Sequence, residues 1–213
     1  MIHVTRRGTE VSAAPEDIAR LRDEFEARHC VLLPSFLQGD LLRQLVEAVD
    51  RGPFTSFVHE GIGEEVCLDD PATLGLLTLV TNERRLFQAM EDLTGCGRIG
   101  CFEGRVYRMD PARGHYDSWH DDVTDTRLLA LSVNLTPAPY EGGVLTVREK
   151  TSGHVTHAVA NTGLGDAILF RVTPDLEHEV GAVTGTVPKT AYAGWFKAEP
   201  DFEDGLRAYR ARR

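Results

Sequence analysis

Arg127-Leu-Leu-Ala-Leu-Ser-Val-Asn-Leu135, followed by Thr136-Pro-Ala-Pro-Tyr-Glu-Gly-Gly143 and then Val144-Leu-Thr-Val-Arg148, is the stretch on which the fold turns. Two short aliphatic and β-branched runs flank a segment studded with Pro and Gly. Side chains at i and i+2 of a strand share a face, so such runs read as strands joined by turns. The same texture continues on both sides, in Ile99–Met109, His154–Val159, Ala167–Val172, His178–Val183 and Thr190–Lys197. Turn signals separate them at Asp110-Pro111, Gly163-Leu-Gly165 and Pro174-Asp175. Many short strands at this spacing predict an antiparallel sandwich or barrel of the jelly-roll kind.

Upstream the period changes. Pro15 opens a segment with Ile18, Leu21 and Phe25 at helical spacing and acids in its first turn, where they face the positive helix end. Cys30-Val-Leu-Leu-Pro34 is β-like, and a second helix runs from Asp40 to Asp50, stopped by Gly52-Pro53. Residues 52–70 are rich in Gly and acids and read as a long loop, a candidate lid carrying Phe54, Phe57 and His59. One more helical stretch covers about Ala72 to Leu93 and ends at Thr94-Gly95. The predicted class is mainly β with N-terminal helices. A helical part (about 15–96) braces a jelly-roll core (about 98–197), a short helix follows (about 201–211), and residues 1–213 form a single domain.

Against 33 Asp+Glu stand 23 Lys+Arg, a formal charge of −10 on 213 residues. That balance disfavours nucleic acid, whose binding needs cations to neutralise phosphates; Arg207, Arg210, Arg212 and Arg213 read as a solvated tail. No apolar run approaches the roughly 20 residues that span a bilayer, and the first residues have no apolar signal core. Cys30, Cys67, Cys96 and Cys101 lack metal-binding or redox spacing and read as reduced, buried thiols. The expected setting is cytoplasmic, without membrane or nucleic-acid partners, and the oligomeric state is open.

His120-Asp121-Asp122 precedes the strand at Leu128. In an extended chain His120 and Asp122 project together and Asp121 points away. They supply two corners of a metal site; His178, at the start of a later strand, supplies a third. Two His and one carboxylate hold iron in non-haem oxygenases, and zinc hydrolases use similar sets. Eleven residues after His178 comes Lys189, at the head of Thr190-Ala-Tyr-Ala-Gly-Trp195-Phe196. It is either a solvated residue after Pro188 or an inward cation, and an inward cation needs an anionic partner. A dicarboxylate held at the metal by one end supplies that partner with its other end.

Taken in order, His120-x-Asp122, Tyr140-Glu-Gly-Gly143-Val-Leu145, Gly165-Asp-Ala-Ile-Leu-Phe170, His178-Glu-Val180, Lys189 and Gly194-Trp195-Phe196 resemble the Fe(II)/2-oxoglutarate-dependent dioxygenases, prolyl-4-hydroxylase-like branch. The resemblance covers about residues 98–197, and Val31-Leu-Leu-Pro-Ser-Phe-Leu37 is similar to the family's first segment. It implies a double-stranded β-helix with Fe(II) on His120, Asp122 and His178, and Lys189 on the far carboxylate of 2-oxoglutarate. Tyr107 and Asn134 are the further co-substrate contacts it implies.

The implied activity is hydroxylation of an amino acid, a peptide or protein residue, or a small metabolite. O2 is consumed, succinate and CO2 form, and ascorbate is a supporting reductant. The carboxylate of Asp122 favours hydroxylation over halogenation, since halogenating relatives carry a small residue there; desaturation and ring formation stay open beside hydroxylation. Many relatives have Arg at the Lys189 position and Ser or Thr two residues on; here that residue is Ala191, with Thr190 facing outward.

Two other classes stay open at this stage: a non-catalytic jelly roll that binds a metal or carboxylate, and a cupin-like metalloenzyme without 2-oxoglutarate. His115 and Trp119, with Arg113 and Tyr116, are candidates for the substrate pocket, and His154 and His157 read as surface or rim residues.

Overall fold

The computed structural model describes residues 1–59 and 63–211. Its first half contains β1 (Ile2–Thr5), β2 (Gly8–Val11), α1 (Pro15–Arg28), β3 (Cys30–Leu33), α2 (Gly39–Arg51), β4 (Phe54–His59), β5 (Gly63–Leu68), α3 (Pro71–Thr81) and α4 (Arg84–Thr94). Then come β6 (Cys101–Met109), β7 (Asp117–His120), β8 (Arg127–Asn134), β9 (Glu141–Gly142), β10 (Leu145–Glu149) and β11 (Val155–Val159). The chain closes with β12 (Ala167–Arg171), β13 (Leu176–Val180), β14 (Val183–Thr184), β15 (Lys189–Lys197) and α5 (Phe202–Ala211).

The predicted jelly roll is present as two antiparallel sheets. The larger has the order β3-β12-β8-β15-β6-β5-β4 and the smaller β11-β10-β13-β7. Period-two patterning decides what each strand buries. Leu129, Leu131 and Val133 of β8 enter one core with Phe25, Leu41, Leu45, Leu86 and Met90 of the helices. Ala130, between them, turns the other way and joins Leu145, Val147, Ile168, Phe170 and Val180. One face of the large sheet is thus covered by helices and the other lines a narrower second core. Each large side chain so buried contributes about 1.5–3 kcal/mol of transfer free energy.

Two expectations about the first half are corrected. Residues 52–70 are not a loop: β4 pairs with β5 from Phe54↔Leu68 to His59↔Gly63, and β5 continues the large sheet through Val66↔Arg108 and Cys67↔Tyr107. Thr55, Val58, Val66 and Cys67 favour strand, a signal diluted by the acids and glycines around them. Phe54 lies under the Arg108 guanidinium at 4.1 Å. The side chains of Phe57, His59, Arg210, Arg212 and Arg213 lie outside the described residues.

The helical stretch at 72–93 is two helices, α3 and α4. Asp70 caps the first, accepting from the backbone N–H groups of Ala72 and Thr73. Asn82 interrupts the run because its side chain serves β6 instead: Nδ2 donates to the Phe102 carbonyl at 2.9 Å and Oδ1 accepts from the Phe102 N–H at 2.8 Å. The hairpin β1–β2 and the strand β7 are further elements that period reading did not separate from loop. Among the described residues no helix is long and apolar enough to cross a membrane.

Asn82→Ala removes both partners from the buried Phe102 backbone, and an unsatisfied buried polar group costs roughly 1–3 kcal/mol. Urea denaturation is expected to show a loss of about 2–4 kcal/mol; an unchanged midpoint would contradict this reading of the helix break.

Candidate active site

β7 is the outer strand of the small sheet, and its pairing with β13 sets His120 directly across from His178. The two rings stand 4.2 Å apart, centroid to centroid. An extra residue on β7 between His120↔His178 and Asp117↔Val180 makes a bulge, a device that re-aims side chains at strand ends. The His120 Nδ1 donates to the Ser118 carbonyl at 2.6 Å, which leaves Nε2 as the ring nitrogen that faces Asp122. His178 is buried, and desolvation first, then the neighbouring His120, hold its pKa below the usual imidazole value. Its ring is therefore neutral at pH 7, the state that binds metals.

Asp122 reaches the two histidines by a route the extended-chain argument did not foresee. The chain leaves β7 after His120, and Asp122 takes a left-handed conformation at φ 58, which an aspartate tolerates better than most residues. Its Oδ2 then lies 3.4 Å from the His178 Nε2, and its Oδ1 3.7 Å from the His120 Nε2. Asp121 turns away, as expected, accepting from the Val123 N–H at 3.0 Å and pairing with Lys150. One ligand atom from each of His120, Asp122 and His178 falls within 4.8 Å of the others. Two imidazoles and one carboxylate at that separation suit a divalent first-row metal, ferrous iron included.

All three residues line a cavity of about 300 Å³ between the sheets. Lys189 lines it too, on the same face of β15 as Ala191 and Ala193, while Thr190 turns away and accepts from the Arg108 Nε at 3.1 Å. The Lys189 side chain is buried, and its Nζ donates to the Gly143 carbonyl at 2.8 Å, an acceptor without formal charge. Burial lowers its pKa to about 8, against a smaller opposing pull from Asp117. Gly143 sits at φ 59, and a Cβ there would stand 3.0 Å from the Lys189 Cδ, so the lysine's path needs a glycine at that turn.

Tyr107 lines the cavity from β6, directly opposite Ala191. Asn134 borders it as well, but its amide is engaged: Nδ2 donates to the carbonyls of Thr162 (2.7 Å) and Gly163 (3.2 Å), and Oδ1 accepts from the Thr136 N–H. The candidates in the loop before His120 do not line the cavity. Arg113 and His115 reach Glu64 of the β4–β5 hairpin at 3.0 and 3.6 Å, Tyr116 is exposed, and Trp119 lies under Arg148. His154 and His157 stay off the cavity as well.

Among the other residues that line it are Trp195 and Arg127, to which the sequence assigned no role. The Trp195 indole N–H donates to the Asp122 Oδ2 at 2.7 Å, and the Arg127 Nη1 donates to the Asp122 Oδ1 at 3.1 Å. Arg127 also lies 3.5 Å from the centroid of the Trp195 ring. Trp195 was visible only as part of a motif, and Arg127 only as a charge at the start of an apolar strand.

Residues 104–197 match the model of the 2OG-Fe(II) oxygenase superfamily. Among curated proteins no sequence matches the chain. Among solved structures, a Pseudomonas putida prolyl-4-hydroxylase superposes with a TM-score of 0.65 at 21% identity, covering 86% of this chain and 100% of that one. A Trichoplax adhaerens prolyl hydroxylase in complex with a hypoxia-inducible-factor peptide fragment gives 0.61 at 14% identity, covering 88% and 94%. A non-haem α-ketoglutarate-dependent epimerase of nogalamycin biosynthesis gives 0.64 at 16% identity, covering 86% and 82%. Residues 104–197, the strands that carry the histidines, the aspartate and the buried lysine, thus match a 2OG-Fe(II) oxygenase domain, and the chain shares the fold of the prolyl-4-hydroxylase.

Proposed function

We propose that this dioxygenase hydroxylates a small-molecule or peptide substrate, with His120, Asp122 and His178 holding Fe(II) and Lys189 pairing with the far carboxylate of 2-oxoglutarate. The observation that carries the reading is a buried ammonium in the same cavity as the His/Asp/His set. Bound there, Fe(II) and 2-oxoglutarate supply the activation of O2 and the oxidation of a C–H bond, with succinate and CO2 as co-products.

The residues have separable tasks. The Ser118 carbonyl fixes the His120 tautomer. Lys189, tethered by Gly143, offers a positive charge in a water-poor site, where a carboxylate partner is held more strongly than in water. Tyr107 borders the co-substrate from the neighbouring strand. Asn134 is left out of the co-substrate site, because both its N–H groups already serve backbone carbonyls. Ala191 and Ala193 keep the β15 wall low, leaving room for a bound dicarboxylate. A jelly roll that only stores metal, or a cupin-like enzyme without the keto acid, gives the buried Lys189 no partner of opposite charge to receive.

The relatives differ in their partners: one is in complex with a peptide fragment, and another belongs to nogalamycin biosynthesis. The substrate class here is therefore an amino acid, a peptide or protein residue, or a small metabolite. A panel of these with Fe(II), ascorbate and 2-oxoglutarate, read as products heavier by one oxygen, identifies it.

Asp122→Ala is expected to abolish succinate formation and Asp121→Ala to leave most of it; the reverse pattern would overturn the ligand assignment. Lys189→Ala should raise the KM for 2-oxoglutarate about 10-fold or more, the worth of one charge-assisted hydrogen bond. An unchanged KM would place the carboxylate elsewhere. The ammonium is the form that pairs with a carboxylate, and its pKa in the free protein is lowered to about 8. So kcat/KM for 2-oxoglutarate should be highest below that pH and fall as pH rises through it. Lys189→Arg, which stays charged, should remove the fall; a variant profile identical to wild type would reject Lys189 as its source.

A further inference from the structure

We propose that Trp195 is a positioning residue for the metal site, its indole N–H holding one oxygen of Asp122 so that the carboxylate serves the metal through the other. The inference rests on the reading of Asp122 as a metal ligand. A carboxylate with two unrestrained oxygens can bind a metal through one or both, and the second mode takes a coordination position that the co-substrate and O2 need. Here neither oxygen is unrestrained. Oδ2 accepts from the Trp195 Nε1–H at 2.7 Å and Oδ1 from the Arg127 Nη1 at 3.1 Å, and Nη1 also donates to the Asp122 main-chain carbonyl at 3.0 Å.

The donors are themselves held. Trp195 lies in the middle of the large sheet, paired with Ala130 on one side and Glu103 on the other, so its Cα position is fixed by two neighbouring strands. The Arg127 guanidinium covers the ring at 3.5 Å, a cation–π contact that limits rotation of the indole. The arrangement is directional. Phenylalanine would fill the same space and keep the arginine's ring partner, yet could not donate. Trp195 also shares its strand face with Lys189, so one rigid strand carries both the proposed carboxylate anchor and the latch on Asp122. The backbone strain of Asp122 at φ 58 fits the same picture: a residue in that conformation persists when surrounding contacts over-determine it.

Trp195→Phe tests the role, because it removes the N–H and retains the aromatic ring. Titration of the metal-free protein with Mn(II), followed by the EPR signal of the free ion, should give a Kd raised about 10- to 100-fold. The melting temperature of the metal-free variant and the KM for 2-oxoglutarate should stay near wild type, and the visible spectrum of the Co(II)-loaded form should shift. Trp195→His, which restores a donor, should recover part of the affinity. A Trp195→Phe protein with wild-type Mn(II) affinity and an unchanged Co(II) spectrum would overturn the proposal.

A second measurement needs no tryptophan variant. In wild type loaded with diamagnetic Zn(II), the Trp195 indole N–H resonance should lie downfield of that of Trp119, and Asp122→Ala should move it upfield. No movement would overturn the latch. Wild-type Mn(II) affinity in Asp122→Ala, by contrast, would remove the ligand assignment beneath it.

Discussion

The site depends on one strand pairing. β7 is short and lies at the edge of its sheet, yet its register with β13 makes His120 and His178 cross-strand neighbours. Without that register the two imidazoles would sit on separate strands with no reason to share an ion. With it, the two rings stand beside each other, tilted by 54°, and the turn that follows needs only two residues to deliver Asp122. The bulge in β7 and the left-handed Asp122 are the local adjustments that make the delivery work.

Electrostatics explains why so acidic a chain can receive a doubly negative co-substrate. The formal charge is −10, but surface carboxylates are screened by solvent and act weakly over more than about 10 Å. What an entering dianion meets is local: a buried ammonium with a neutral hydrogen-bond acceptor, in a cavity whose walls strengthen any ion pair formed inside. Burying that lysine is unfavourable for the free protein, as its lowered pKa records. On the proposed assignment of Lys189, an arriving carboxylate would relieve that unfavourable term, and part of the binding free energy would be stored in the folded state.

Much of this was legible in the sequence. Period-two runs with Gly and Pro turns gave the jelly roll, and the apolar spacing of Ile18, Leu21 and Phe25 gave the first helix. The His-x-Asp motif and the later His178 pointed to residues that the fold brings together, although the stated geometry for Asp122 was not the one found. Elements whose stability comes from distant partners were hidden. The β4–β5 hairpin is strand because β6 pairs with it, and the break before α4 exists because Asn82 serves Phe102. Neither partnership leaves a periodic trace. Arg127 and Trp195 were hidden for a related reason: their significance lies in hydrogen bonds to one side chain across the fold.

The central claim is that one cavity joins a metal at His120, Asp122 and His178 to a keto acid at Lys189. A crystal structure of the anaerobic protein with Fe(II) and 2-oxoglutarate, phased to locate iron by its anomalous signal, tests it most directly. The account predicts a single strong iron peak within bonding distance of the His120 Nε2, one Asp122 oxygen and the His178 Nε2, with a carboxylate of the keto acid on the Lys189 Nζ. Iron bound elsewhere, or a keto acid whose far end lies away from Lys189, would contradict it.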